Sequence, residues 1–114
     1  MINKIVLVGR LAEKVQIREL EEGKKVGVMK LSVPREYKNS DGVYETDLLE
    51  CVVYGKMAEN LNEFCQVGDL IGLKGRVSNI SNDEKKSANS FEIVAEKVSF
   101  LQSRNKSKDN IEER

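Results

Sequence analysis

An all-β chain with one short helix, closed into an OB-fold five-stranded Greek-key barrel, is what this sequence of 114 residues predicts. Three observations carry that expectation. Residues 56–68, KMAENLNEFCQVG, are the only segment that reads as a helix. The segments before it alternate with a period of two, as strands do, and so do those after it up to a charged end. The helix thus falls between an earlier set of strands and a later pair, where it would close one end of such a barrel.

Within the helix, Met57, Leu61, Phe64 and Cys65 fall at i, i+4, i+7 and i+8 and form one apolar stripe. Glu59, Asn60, Asn62 and Glu63 occupy the opposite face and should meet water. Gly55 is placed to start the helix and Gly68 to end it in the left-handed region. A chain of this length allows one domain with a core of its own, expected over residues 1–101, followed by a disordered charged tail at 102–114. No signal-peptide core and no apolar run of membrane-crossing length is present, which predicts a cytoplasmic protein without a membrane partner.

The strands follow in order. In residues 2–11, INKIVLVGRL, Ile5, Leu7, Gly9 and Leu11 point one way and Lys4, Val6, Val8 and Arg10 the other. Both rows are largely apolar, so this strand should be covered on two sides, the second time by another subunit. Ile2, Lys4, Val6 and Val8 are the expected oligomer contact. Residues 15–20 form a shorter, more polar continuation, and Glu21-Glu22-Gly23 reads as a turn. In residues 26–33, Gly27, Met29, Leu31 and Val33 face inward and Val28, Lys30 and Ser32 outward, and Pro34 should end the run. Asp41-Gly42 marks a hairpin tip. The return strand, 44–54, should turn Leu49, Cys51 and Val53 inward and Thr46, Leu48, Glu50, Val52 and Tyr54 outward. Leu48, Val52 and Tyr54 make an apolar row that the barrel's own core does not need. After the helix, residues 69–80 place Ile71, Leu73 and Val77 inward and Lys74 and Arg76 outward. Residues 79–90 read as a mobile hairpin tip, and 91–101 as the last strand.

Composition narrows the chemistry. Lysine plus arginine and aspartate plus glutamate each number 19, so the net charge is zero. Any role on nucleic acid must then rest on where the charges lie. There is no histidine, no activated serine or cysteine, and no phosphate loop, so the sequence predicts neither an enzyme nor a cofactor. Cys51 and Cys65 sit among apolar neighbours and read as reduced core thiols rather than a metal site. A binding constellation is present instead. Single-stranded nucleic acid is held by bases stacked on aromatic rings and by cations beside phosphates. Tyr37 and Tyr54 supply rings, Leu48 an apolar contact, and Lys30, Arg35, Lys56, Lys74 and Arg76 cations. From the residues alone, a binding barrel is as far as the reading goes.

The opening Met1-Ile2-Asn3-Lys4-Ile5-Val6-Leu7-Val8-Gly9-Arg10-Leu11 resembles the start of bacterial single-stranded DNA-binding proteins. Tyr37-Lys38-Asn39-Ser40-Asp41-Gly42, Cys51-Val52, Gly55-Lys56-Met57-Ala58-Glu59-Asn60 and Gly75-Arg76 continue the resemblance in register across residues 1–101. It implies an OB barrel that binds and protects single-stranded DNA without sequence preference in replication, recombination or repair, on the nucleoid. It also implies self-assembly as a homotetramer, with a homodimer the alternative, and base-stacking roles for Tyr37 and Tyr54. The chain departs from the family's pattern in four places. Leu48 stands where relatives have Trp or Phe, and Glu50 where they have a neutral or basic side chain. The hairpin at 81–90 is short and lacks an aromatic. The partner-recruiting acidic tail with its terminal Pro-Phe is absent, so a short form of the family is expected. The competing expectation is an OB-fold accessory factor that binds a replication or primosome protein through Leu48, Val52 and Tyr54.

Overall fold

The computed structural model describes residues 1–80 and 90–104, which form six strands and one α-helix. The strands are β1 (Ile5–Leu11), β2 (Gln16–Glu19), β3 (Lys25–Lys38), β4 (Tyr44–Tyr54), β5 (Leu70–Asn79) and β6 (Phe91–Gln102). Helix α1 (Lys56–Phe64) lies between β4 and β5. The polar continuation after the first strand is a separate element, β2, which pairs along β3 outside the barrel wall. The wall itself is the ring β1–β3–β4–β6–β5–β1, five strands with closure. Every junction is antiparallel except β4–β6, where Cys51 lies beside Ile93 and Val52 beside Val94 in parallel register. A helix between the third and fourth wall strands and one parallel junction are the features expected of an OB barrel.

The period-two reading of the strands places most side chains as expected. Leu11, Met29, Leu31, Cys51, Val53, Ile71 and Leu73 fill the interior, and Val6, Val8, Leu48 and Tyr54 face outward. Ala58 and Leu61 of α1 plug one end, with Ala58 packed over Gly27. Both cysteines are free and buried, and burial pushes the Cys51 thiol up to about 11 and the Cys65 thiol upward as well. Both are therefore protonated at neutral pH and behave as small apolar side chains.

Five local expectations are corrected. Pro34 does not end its strand: β3 continues to Lys38, with Pro34 opposite Thr46 and a register shift after it. Beyond Ser32, β3 pairs only with β4 among the described residues, so a residue without an N–H is tolerated there. The helix stops at Phe64, and Cys65 leaves in extended conformation. Gly68, at φ 98°, serves the following turn rather than the helix end. That turn is held by the buried Asp69, whose Oδ2 accepts the Gln66 N–H at 2.8 Å. Phe64 is exposed, because the helix presents it beyond the barrel rim. Val77, read as inward, is also exposed: β1 pairs with β5 only as far as Gly75, so no residue of β1 stands beside it. Asn62, expected to face water, is half-buried and donates to the Val15 carbonyl at 2.7 Å.

Further expectations concern residues outside the description. The hairpin tip at 81–89 and residues 105–114 of the expected tail lie there. Of the tail's first residues, Gln102 belongs to β6, and the Arg104 side chain lies over Gly68. No helix among the described residues is long and apolar enough to cross a membrane.

Closure demands close backbone approach at two glycines. A Cβ at Gly9 would sit 2.7 Å from the Ser32 carbonyl oxygen of β3, and one at Gly75 would collide with the Val94 carbonyl oxygen of β6. At Gly72 a Cβ would meet only the Leu101 side chain, at 3.3 Å. Gly75→Ala should therefore cost about 1–3 kcal/mol of stability, since a backbone must move, whereas Gly72→Ala should cost less than about 1 kcal/mol. Urea denaturation of the two variants measures the difference, and equal midpoints would contradict this account of closure.

Candidate nucleic-acid interface

The even-numbered residues of β4 form one outward row: Tyr44, Thr46, Leu48, Glu50, Val52 and Tyr54. At roughly 3.3 Å per residue the row is on the order of 33 Å long, enough for several nucleotides. The register sets Pro34, Ser32, Lys30 and Val28 of β3 opposite Thr46, Leu48, Glu50 and Val52. β2 widens the same face, with Gln16 opposite Val28. Over the paired β2 and β3 lies a cleft of about 400 Å³, lined in part by Gln16, Arg18, Val28, Lys30 and Glu50. An exposed aliphatic strip with a ring at each end thus runs along an open groove. Tyr44 was missed in the sequence, although the alternation that exposed Leu48 and Tyr54 reaches it when read back to the start of the strand.

Gly55 sets the Tyr54 end. Its φ of 68° and ψ of −142° are open to glycine and strained for other residues, and they turn the chain from β4 into α1. Tyr54 and Lys56 therefore flank one tight corner. Lys24 and Lys25, which the sequence reading left out, line the cleft beside Tyr54. Lys25 pairs with Glu59 at 3.7 Å. The preceding turn holds Glu22 at φ 66°, in the left-handed region.

The other end is a two-stranded arm. At its tip, Asn39 Oδ1 accepts the N–H groups of Asp41 and Val43, both at 2.9 Å, and Gly42 supplies φ 79°. Lys38 Nζ sits 5.6 Å from the centre of the Tyr44 ring, within cation–π range. Tyr37 is 81% exposed and lines a cleft with Arg35, Lys38, Asn39 and Glu45. It falls in the irregular stretch after Pro34, on the side of the arm where Arg35 reaches Glu45 and Asp47 of β4's odd-numbered row.

The expected cations divide into two groups. Lys30 lies 3.4 Å from Glu13 and 3.7 Å from Glu50. Arg35 holds Glu45 and Asp47 at 2.9 Å each, and Arg76 holds Glu96 at 3.4 Å. Lys56 and Lys74 form no ion pair among the described residues. Location divides them differently. Lys30 and Lys56 adjoin the β4 row, and Arg35 belongs to the arm. Lys74 instead faces Val6 across β1–β5 in register, on the surface that carries the expected oligomer contact. Arg76 lies between the two, opposite Val94, while its carboxylate partner Glu96 also binds Lys4 at 3.3 Å. The structure thus brings Tyr54, Leu48, Lys30 and Lys56 together, sets Tyr37 and Arg35 on the arm, and leaves Lys74 apart.

Residues 2–101 match the single-strand binding protein family. The chain is 42% identical over 106 residues to Single-stranded DNA-binding protein 3 of Listeria innocua, covering 91% of this chain and 66% of that protein. It is 38% identical over 110 residues to Single-stranded DNA-binding protein 2 of Staphylococcus aureus, covering 95% and 79%. It is also 38% identical over 105 residues to Single-stranded DNA-binding protein 1 of Lactococcus lactis, covering 90% and 70%. The chain therefore spans between 66% and 79% of these relatives' lengths. Among solved structures, a deletion mutant of the single-stranded DNA binding protein from Thermus aquaticus superposes with a TM-score of 0.71 at 20% identity. The superposition covers 91% of this chain and 52% of that one, and it speaks for the fold.

The arm's ion pairs carry a pH dependence. Hydrogen bonding to Arg35 holds the Asp47 carboxyl below its ordinary 3.8, and the guanidinium is correspondingly raised. Because the folded-state value is depressed, the pair contributes above the ordinary carboxylate range and is lost as pH falls through the depressed value. Amide exchange protection in residues 35–47 should therefore drop on acidification below about pH 4, and Asp47→Asn should flatten that response. An identical pH profile in wild type and Asp47→Asn would remove the pair from any role in ordering the arm.

Proposed function

The chain belongs to the single-strand binding protein family, and on that premise we propose that it binds single-stranded DNA without sequence preference. Bases lie along the outward row of β4, and copies of the chain assemble around β1. The observation that carries the reading is the Tyr44–Leu48–Val52–Tyr54 strip, exposed at Tyr44, Leu48 and Tyr54 and half-buried at Val52, beside an open groove. Such a strip suits unpaired bases, which stack on rings and offer apolar faces regardless of identity. Tyr54 closes one end with Lys56 beside it, and Tyr44 and Tyr37 serve the arm. Leu48 offers apolar contact without a ring. Protection of single strands during replication, recombination or repair is the setting this chemistry fits.

Charge sets the strength. Lys30, Arg35 and Arg76 must each exchange a carboxylate for a phosphate, so few counterions are released on binding. The slope of log K against log salt should be shallow. Assembly is supported by β1: among the described residues its edge away from β5 is unpaired from Ile5 to Gly9, and Val6 and Val8 are 72% and 50% exposed. With Ile2 and Lys4 they form the contact around which a symmetric oligomer closes, a tetramer or a dimer.

Two predictions test this reading. Loss of a stacking ring is worth about 1–3 kcal/mol per base, so Tyr54→Ala should weaken binding to oligothymidine by about tenfold while the domain stays folded. Glu50→Arg should tighten binding and steepen its salt slope, and Leu48→Trp should tighten it. Tyrosine fluorescence quenching during the titration reads all three, and an interaction module without DNA affinity would show none in the wild type. For assembly, Val6→Lys should disperse the oligomer seen by light scattering, because it puts a charge into an apolar contact. A wild-type monomer at micromolar concentration would count against assembly through β1.

A further inference from the structure

Glu50 stands near the centre of the outward β4 row, between Leu48 and Val52 and opposite Lys30 of β3. Lys30 Nζ lies 3.4 Å from Glu13 and 3.7 Å from Glu50, so one ammonium stands between two carboxylates. Both separations are long beside the roughly 2.7–2.9 Å of a charged hydrogen bond. Neither carboxylate accepts a hydrogen bond or has a second ion pair among the described residues. Glu45 and Asp47 on the arm, by contrast, each accept from Arg35 at 2.9 Å.

Glu13, Lys30 and Glu50 line the cleft of about 400 Å³ over β2 and β3, together with Ile17, Val26 and Val28. Its charged lining is two carboxylates and three cations, Lys14, Arg18 and Lys30, so a free cation gains little there. A flat, neutral ligand with hydrogen-bond donors on its rim suits apolar walls beside groups that only accept. Nucleobases have that form. When Lys30 exchanges its carboxylates for a phosphate, Glu13 and Glu50 lose the cation between them and need donors. Cytosine brings an N4 amine, adenine an N6 amine and guanine an N2 amine. Thymine brings no amine. Its N3–H lies between two carbonyl oxygens, and a carboxylate that takes this proton sets its other oxygen against one of them.

We propose that Glu13 and Glu50 read the edges of bases in this cleft and favour amine-bearing bases over thymine. The inference rests on the reading that bases lie along β4, and it adds a bias in base composition to a surface that reads no sequence. Both side chains are exposed, so water competes for the same hydrogen bonds and the bias is modest.

Displacement of labelled oligothymidine by unlabelled oligomers of equal length, followed by fluorescence anisotropy, tests the bias on the full chain. Oligodeoxycytidine should compete better than oligothymidine by about fivefold in the wild type. Oligodeoxyuridine, which lacks the thymine methyl and keeps its carbonyls, should rank with oligothymidine. The Glu13→Met, Glu50→Met double variant should lose the preference, and each single variant should lie between. An apolar side chain alters stacking for both pyrimidines alike, so the ratio isolates the carboxylates. Lys56→Met, which removes a phosphate contact, should weaken both oligomers and leave the ratio unchanged. An equal ratio in wild type and double variant, or oligodeoxyuridine ranking with oligodeoxycytidine, overturns the base-edge role and leaves DNA binding along β4 standing. No affinity for any oligomer overturns both.

Discussion

Barrel closure depends on β1 serving two neighbours that diverge. It pairs with β5 over most of its length and with β3 only at Arg10 and Leu11. Where β3 swings in to meet it, the backbones come so close that Gly9 cannot carry a side chain. Gly75 plays the same part where β5 meets the register shift in β6. This geometry has a cost outside the core. A strand that meets its second partner only at its last two residues leaves the rest of that edge unpaired among the described residues, and Val6 and Val8 are exposed on the outer face beside it. Closing the barrel and leaving an exposed apolar stretch on β1 are thus two consequences of one arrangement.

β4 shows the same economy. Its odd residues Leu49, Cys51 and Val53 line the interior, and its even residues form the outer row. This division was legible in the sequence because the register of β4 against β3 is regular from Val26 to Pro34, so alternation alone decides each side chain. The fold was legible for a similar reason. One helix of correct length between two sets of strands leaves few ways to bury both periodicities.

Alternation failed where packing is decided by an element across the barrel. Val77 has the inward parity of Ile71 and Leu73, yet β1 no longer runs beside β5 at that point. Phe64 sits on the apolar stripe of α1, yet the helix ends there and points it past the rim. Pro34 reads as a stop only if both edges of its strand are paired, and β3 has lost one neighbour by then. In the candidate site, cations were easy to name and their partners were not. Glu50 faces Lys30 across two strands, and Glu96 reaches Arg76 from the residue that β6 inserts at its register shift. Such pairings need the register, which no linear spacing encodes. Lys74 was grouped with the binding cations because its parity is outward, but in a closed barrel outward positions look in several directions.

The ion pairs also bear on how a neutral protein can hold a polyanion. Exposed pairs of this kind contribute little, so exchanging a carboxylate for a phosphate costs little. The carboxylates therefore do not close the face; they reduce the long-range field that would draw any polyanion to it. On the proposed reading, what remains to discriminate single strands from duplex is the apolar strip of β4, since paired bases turn their faces to one another and would not stack on Tyr44 or Tyr54. If bases do lie on this strip, balanced charge makes base exposure, rather than phosphate density, the feature the surface would respond to.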